Sequence, residues 1–185
     1  MPILILGLVL WTVSHLFKRL MPGLRARLGD NFGKMLVTVL SLAAVALIVV
    51  GYRRAEVVPV YTPMPGMGHL NNLLMLVAVF LLGVSHGKGR IKAMIRHPML
   101  TAVILWAIAH LLVNGDLASI VLFGWLGLWA IVSMLLINAQ TPWERPAPGA
   151  LRSDAIGVVI ALVVYAVIAG IHIWLGYNPF QGTYA

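Results

Sequence analysis

Histidine is the residue type with which this chain can do chemistry. It has six, His15, His69, His86, His97, His110 and His172, and no cysteine. His69 lies in a loop rich in proline and glycine and reads as solvated. The other five lie in or at the ends of long apolar runs. An imidazole in such surroundings can ligate a metal or haem iron, relay a proton, or hydrogen-bond between helices. The lack of cysteine excludes disulfides, thiolate haem ligation, iron–sulfur clusters and zinc-thiolate sites. All five acidic residues, Asp30, Glu56, Asp116, Glu144 and Asp154, fall in loops or at helix ends. The chain therefore lacks the intramembrane carboxylates on which ion-coupled or proton-coupled transport usually relies. It has no phosphate-binding glycine loop and no metal-hydrolase helix. Imidazole is the good ligand that remains, and two imidazoles on facing helices are the usual way a helical bundle holds haem.

The most informative stretch runs from Arg96-His97-Pro98-Met99 through Trp106 and His110 to Asn114-Gly115-Asp116. His97 before Pro98 fits a helix start, with proline in the first turn. Trp106, His110 and Asn114 are spaced by four and would share one helical face. A polar-aromatic stripe inside an apolar segment faces the bundle rather than lipid. His110 there reads as a metal or haem ligand, a proton relay, or an interhelical hydrogen bond. His15 follows Trp11 by one turn, so it reads either as an interfacial residue or as part of a flat aromatic-lined pocket. His86 ends its apolar run, where a helix dipole favours it. His172 has Tyr165 two turns before it.

The elements that must position these residues are membrane helices. The hydrophobic fraction is 61%, the charged fraction 10% and the mean hydropathy +0.97. Long continuous runs rather than short alternating ones indicate an all-α polytopic membrane protein, not a barrel. Six transmembrane spans are expected in one domain over 1–185, at about 3–20, 35–52, 70–86, 97–113, 117–138 and 155–177, each near the ~20 residues a span requires. The fourth is on the short side. The first lacks a basic region before it and reads as a retained span rather than a signal peptide. In the last, Gly157 with Ala161 and Ala166 with Gly170 would allow close helix packing.

The net charge of +8 does not point to nucleic acid, because the basic residues sit in short loops between spans. Lys18, Arg19, Arg25, Arg27 and Lys34 follow the first span. Lys88, Arg90, Lys92 and Arg96 follow the third, and Arg145 and Arg152 the fifth. The second loop holds only Arg53 and Arg54, and the fourth none. The positive-inside rule then puts loops one, three and five in the cytoplasm and both termini on the periplasmic side of an inner membrane. The lipid bilayer is the expected partner.

These motifs resemble the NnrU family of bacterial inner-membrane proteins. The likeness covers roughly residues 1 to 140. It rests on Ser14-His15-Leu16, on the basic segment with Arg25 and Gly29, on Arg96-His97-Pro98-Met99, and on Trp106 through His110 to Asn114-Gly115-Asp116. The family takes its name from gene clusters for nitrite and nitric oxide reduction, which implies a role linked to denitrification. The same motifs resemble 15-cis-ζ-carotene isomerase, a membrane haem b enzyme. That likeness implies haem b with His15 and His110 as iron ligands and a hydrophobic small molecule as possible substrate. The isomerase has a cysteine where this chain has Ala107. The Arg96-His97-Pro98 segment also resembles membrane methyltransferases that use S-adenosylmethionine.

Helical rise alone groups the histidines differently. At ~1.5 Å per residue, His15, His86 and His97 fall toward the basic side, and His110 and His172 toward the other. His15 then matches His97 or His86 in depth better than His110. His97 and His110 are about 140° apart around their helix. Three readings stay open: a haem b protein, a non-catalytic accessory or regulatory membrane protein, and an Arg-His-Pro methyltransferase.

Overall fold

A computed structural model describes residues 1–181. The described chain is helical throughout, in the order α1 (Pro2–Leu20), α2 (Pro22–Arg27), α3 (Asp30–Arg53), α4 (Met67–His86), α5 (Pro98–Leu111), α6 (Leu117–Gln140) and α7 (Leu151–Trp174), with a 3₁₀ turn at Ile91–Ala93. Five of these, α1, α3, α4, α6 and α7, are long and apolar enough to cross a membrane. The fourth expected segment forms α5, which has 14 residues. At ~1.5 Å per residue it is about 21 Å long, short of a ~30 Å hydrocarbon layer. The protein is a polytopic helical membrane protein, and α5 is its short central element.

The helices pack as a row: α3 on α1, α1 on α6, α6 on α5, α5 on α4, and α4 on α7. The core lies where α1, α5 and α6 meet, with Leu4, Leu8, Ala107, Ala118, Leu122 and Phe123 buried together. The flanking helices α3 and α7 carry exposed apolar side chains such as Leu42 and Val159, the faces that lipid would cover. α1 and α3 approach closely because Gly7 and Gly51 stand at their seam. A Cβ at Gly51 would lie 2.3 Å from the Leu4 backbone nitrogen, and one at Gly7 2.8 Å from that of Ile48. In the last helix, Gly157 faces Phe80 of α4 and Ala161 is buried, whereas nothing approaches Gly170. Only the first of the two small-residue pairs meets a neighbour on both members' side.

The loop 54–66 folds over the turn between α5 and α6. Val60 and Tyr61 N–H groups donate to the Gly115 carbonyl at 2.8 and 3.1 Å, and Leu117 N–H donates to the Val58 carbonyl at 2.9 Å. The Tyr61 hydroxyl donates to the carbonyls of Leu111 and Asn114. Burial, then the nearby Asp116 charge, holds the Tyr61 phenol above its ordinary pKa, so it remains a donor. Asp116 caps α6, accepting from Ser119 N–H at 3.0 Å. The Ser119 hydroxyl donates to the same carboxylate and accepts from Tyr52 at 2.8 Å. Asn114-Gly115-Asp116 is thus a clamp point. A Cβ on Gly115 would fall 1.8 Å from the Tyr61 carbonyl oxygen. Gly115→Ala is expected to force the loop off the turn and cost about 1–3 kcal/mol. Gly124→Ala, in an open position of α6, is expected to be neutral or stabilising. Melting temperatures of the two purified variants in one detergent check this.

Candidate functional site

Two aromatic clusters hold the interior histidines, and both follow one local rule. A helical histidine can turn Nδ1 back to the carbonyl four residues earlier. His15 Nδ1 lies 2.9 Å from the Trp11 carbonyl, His110 Nδ1 2.8 Å from that of Trp106, and His172 Nδ1 2.8 Å from that of Ile168. A carbonyl only accepts, so Nδ1 carries the proton in each ring. Nε2 then presents a lone pair, the form in which imidazole ligates a metal. No hydrogen bond to Nε2 of these three histidines is present among the described residues.

His15 stacks on Trp11, with ring centroids 3.8 Å apart and planes 26° apart. Trp129 of α6 meets both rings edge-on at 5.4 and 5.5 Å. Ser14, buried, adds a hydroxyl 3.1 Å from His15 Nδ1 and 3.4 Å from Ser41 of α3. The indole N–H groups of Trp11 and Trp129 are both buried without an acceptor. A buried polar group without a partner is costly. Here two such donors flank an imidazole that itself lacks a partner on Nε2.

His110 stacks on Phe123 of α6 at 4.5 Å and 21°, and Trp106 tilts against it at 5.2 Å. Trp106 and Phe123 meet edge to face at 4.8 Å. Asn114 does not extend the helical stripe expected of it. α5 ends at Leu111, and the Asn114 amide folds back to donate to the His110 carbonyl at 2.8 Å. It closes the helix end instead of facing a ligand. Ala107 is buried opposite Gly127 of α6. That close approach leaves no pocket at position 107.

The remaining histidines stand elsewhere. His97 is the residue before α5, and its Nε2 bonds Asn138 Oδ1 of α6 at 2.9 Å, so this nitrogen is already used. His86 is the half-buried last residue of α4. His172 is exposed on α7, and His69 is exposed in the first turn of α4. Among the described residues no group of three or more His, Asp or Glu could hold a metal ion.

Haem b needs one or two imidazoles, so its fit turns on pairs. His15 reaches α6 at Trp129, and His110 reaches it at Phe123. Six residues separate those contacts, about 9 Å along α6. The two rings thus belong to separate aromatic clusters on different turns of α6. The His15 cluster alone has the donor set that fits: a free Nε2, two flat aromatic walls, and two unpartnered N–H groups suited to an acidic or carbonyl edge.

The family model for the NnrU protein matches residues 3–179. The chain belongs to the NnrU family. The match runs past residue 140, where the motif likeness stops, and takes in all of α7. No curated protein and no solved structure matches the chain.

Sequence spacing revealed Trp11 beside His15 but not Trp129, which comes from a helix more than a hundred residues away. Its only signal was being a tryptophan within an apolar run. Trp129→Phe keeps one aromatic ring and removes the orphaned N–H together with the five-membered ring that carries it. In ligand-free protein the relief of the unpaired N–H is expected to offset the lost packing, so that this variant unfolds within about 1 kcal/mol of the parent. A loss above about 3 kcal/mol would mean that the indole N–H has a partner.

Proposed function

We propose that this chain binds haem b inside the membrane, where His15 Nε2 would ligate the iron and Trp11 and Trp129 would wall the group. The observation that supports this reading is the coincidence of a proton-fixed imidazole with two buried indole donors lacking acceptors. The Trp11 carbonyl fixes the His15 tautomer and orients the ring, as outer partners do for metal-bound histidine generally. The stacked indole keeps the ring from turning. The indole N–H groups would bind a polar edge of the ligand. Bound haem would supply an iron able to pass one electron or hold a small molecule such as nitric oxide, consistent with the family's link to denitrification. His110, held the same way about 9 Å further along α6, is the alternative ligand. With Ala107 closed against α6, the residues give no support to a cysteine–histidine ligand exchange of the isomerase type.

The absorption spectrum of detergent-purified protein, before and after added haem, tests this. A Soret band is expected, lost in His15→Gln and kept in His110→Gln and His172→Gln, with protein yield unchanged. Loss in His110→Gln alone would move the ligand to the second cluster. No band in any preparation would return both clusters to packing and favour the accessory-protein reading.

The orientation proposed is the one the loop charges favour. Eleven of the thirteen Lys and Arg residues lie at or just beyond the C-terminal ends of α1, α4 and α6, before or in the first turns of the next long helix, and this side would face the cytoplasm. Since the chain has no cysteine, single cysteines replacing Arg27 and Pro63 can be labelled cleanly. In intact cells, an impermeant maleimide is expected to react at position 63 and not at position 27.

A further inference from the structure

A second site lies at the basic end, away from both histidine clusters. A cavity of about 330 Å³ is lined on one side by Lys92, Arg96 and His97 and on the other by Met99, Ile137 and Trp143. This is at the small end of the usual range for ligand pockets. Its roof is the segment 141–149, which contains three prolines. The roof is tied down along its length. Arg96 donates to the Thr141 carbonyl, Arg145 Nε donates to the Ala93 carbonyl at 2.6 Å, and Gly149 packs directly on the Lys88 carbonyl. Trp143 is therefore held over the cavity by its neighbours on both sides.

The charge balance of this cavity is one-sided. Lys92, Arg96 and His97 are half-buried, and no carboxylate lines the space. Among the described residues the ion pairs both fall on Asp30, with Arg25 and Lys34. The nearby Asp154 accepts from the backbone N–H groups of Arg90 and Ile91 and faces away into the loop. Cations withdrawn from water without a counter-charge favour an anionic guest. A larger neighbouring cavity, about 620 Å³, is lined by Lys18, Arg19 and Arg25 but includes Asp30 and lacks the apolar wall. Only the first cavity is both cationic and apolar.

We propose that this cavity is a seat for one anionic phospholipid. Its phosphate is held by Lys92 and by the part of the Arg96 guanidinium not used on Thr141. The start of its acyl chain lies along Met99, Ile137 and Trp143. This assignment stands independently of the haem reading. The site sits at the end of short α5, where the hydrocarbon layer extends beyond the helix.

Quenching of tryptophan fluorescence by brominated lipid tests it on the full chain in neutral detergent. The signal from Trp143 is taken as the difference between the parent and Trp143→Phe. Brominated phosphatidylglycerol is expected to quench Trp143 at concentrations at least tenfold below brominated phosphatidylcholine. The Lys92 amine makes no hydrogen bond or ion pair among the described residues, and Lys92→Gln is expected to weaken phosphatidylglycerol binding tenfold or more without changing melting temperature. Ile137→Phe, which fills the apolar side without adding a tryptophan, is expected to abolish the quenching. Equal quenching by the two lipids, or an unchanged Lys92→Gln, would overturn the proposal. So would competition by inorganic phosphate as strong as by unbrominated phosphatidylglycerol, which would mark a free-phosphate site. Protection of Trp143 by S-adenosylmethionine in place of lipid would overturn it in favour of a nucleoside site.

Discussion

The helix α5 is apolar but too short to cross a hydrocarbon layer by itself, and much of the molecule answers that constraint. Non-helical backbone at membrane depth survives only if buried in protein or lining a cavity. At one end, the loop 54–66 supplies main-chain partners to the turn after Leu111, and Tyr61 covers the last carbonyls. At the other, the segment Lys88–His97 is roofed by 141–149 and tied to α7 through Asp154. The clamp and the basic cavity are thus two solutions to one problem. Both close irregular backbone at an end of α5 with another piece of chain.

The same scarcity of partners governs the histidines. In hydrocarbon an imidazole N–H has few acceptors, and the carbonyl four residues back is always within reach. Three helices use it. The consequence is chemical as well as structural, because the proton is fixed on Nδ1 and Nε2 is left as a base or ligand. What differs between the sites is the helix opposite. α6 presents Trp129 to His15 and Phe123 to His110, so α6 adds an indole N–H beside the first ring and an apolar ring beside the second.

Sequence revealed what depends on composition and period. Each of the six apolar runs contains a helix, five of them long enough to cross a membrane, since such segments are set by length and hydropathy. α3 begins at Asp30, five residues before its expected start, because the polar first turn lies outside the apolar run that marked it. The short α2 in the basic loop was missed for the same reason. Contacts across helices were not legible. Trp129 over His15, Asn138 on His97 and Asp154 under Arg90 join residues 41 to over 100 positions apart. The face shared by Trp106, His110 and Asn114 was a correct inference from an ideal helix. It failed at Asn114 only because the helix stops three residues earlier, where the clamp competes for the backbone.

The motif Asn114-Gly115-Asp116 shows how a chemically attractive signature can be wholly architectural. Each residue has a task that its neighbours dictate. The Asn114 amide closes the end of α5, Gly115 admits the Tyr61 carbonyl where any Cβ would collide, and Asp116 caps α6 while receiving the Ser119 hydroxyl. None of these groups turns toward either aromatic cluster. By contrast Trp11 and Trp129 belong to no polar signature, yet they hold the buried donors without partners. In a membrane interior, satisfied polar residues report on how the backbone is closed. Unsatisfied ones carry more information about a guest, because the fold alone gives no return for leaving them unpaired.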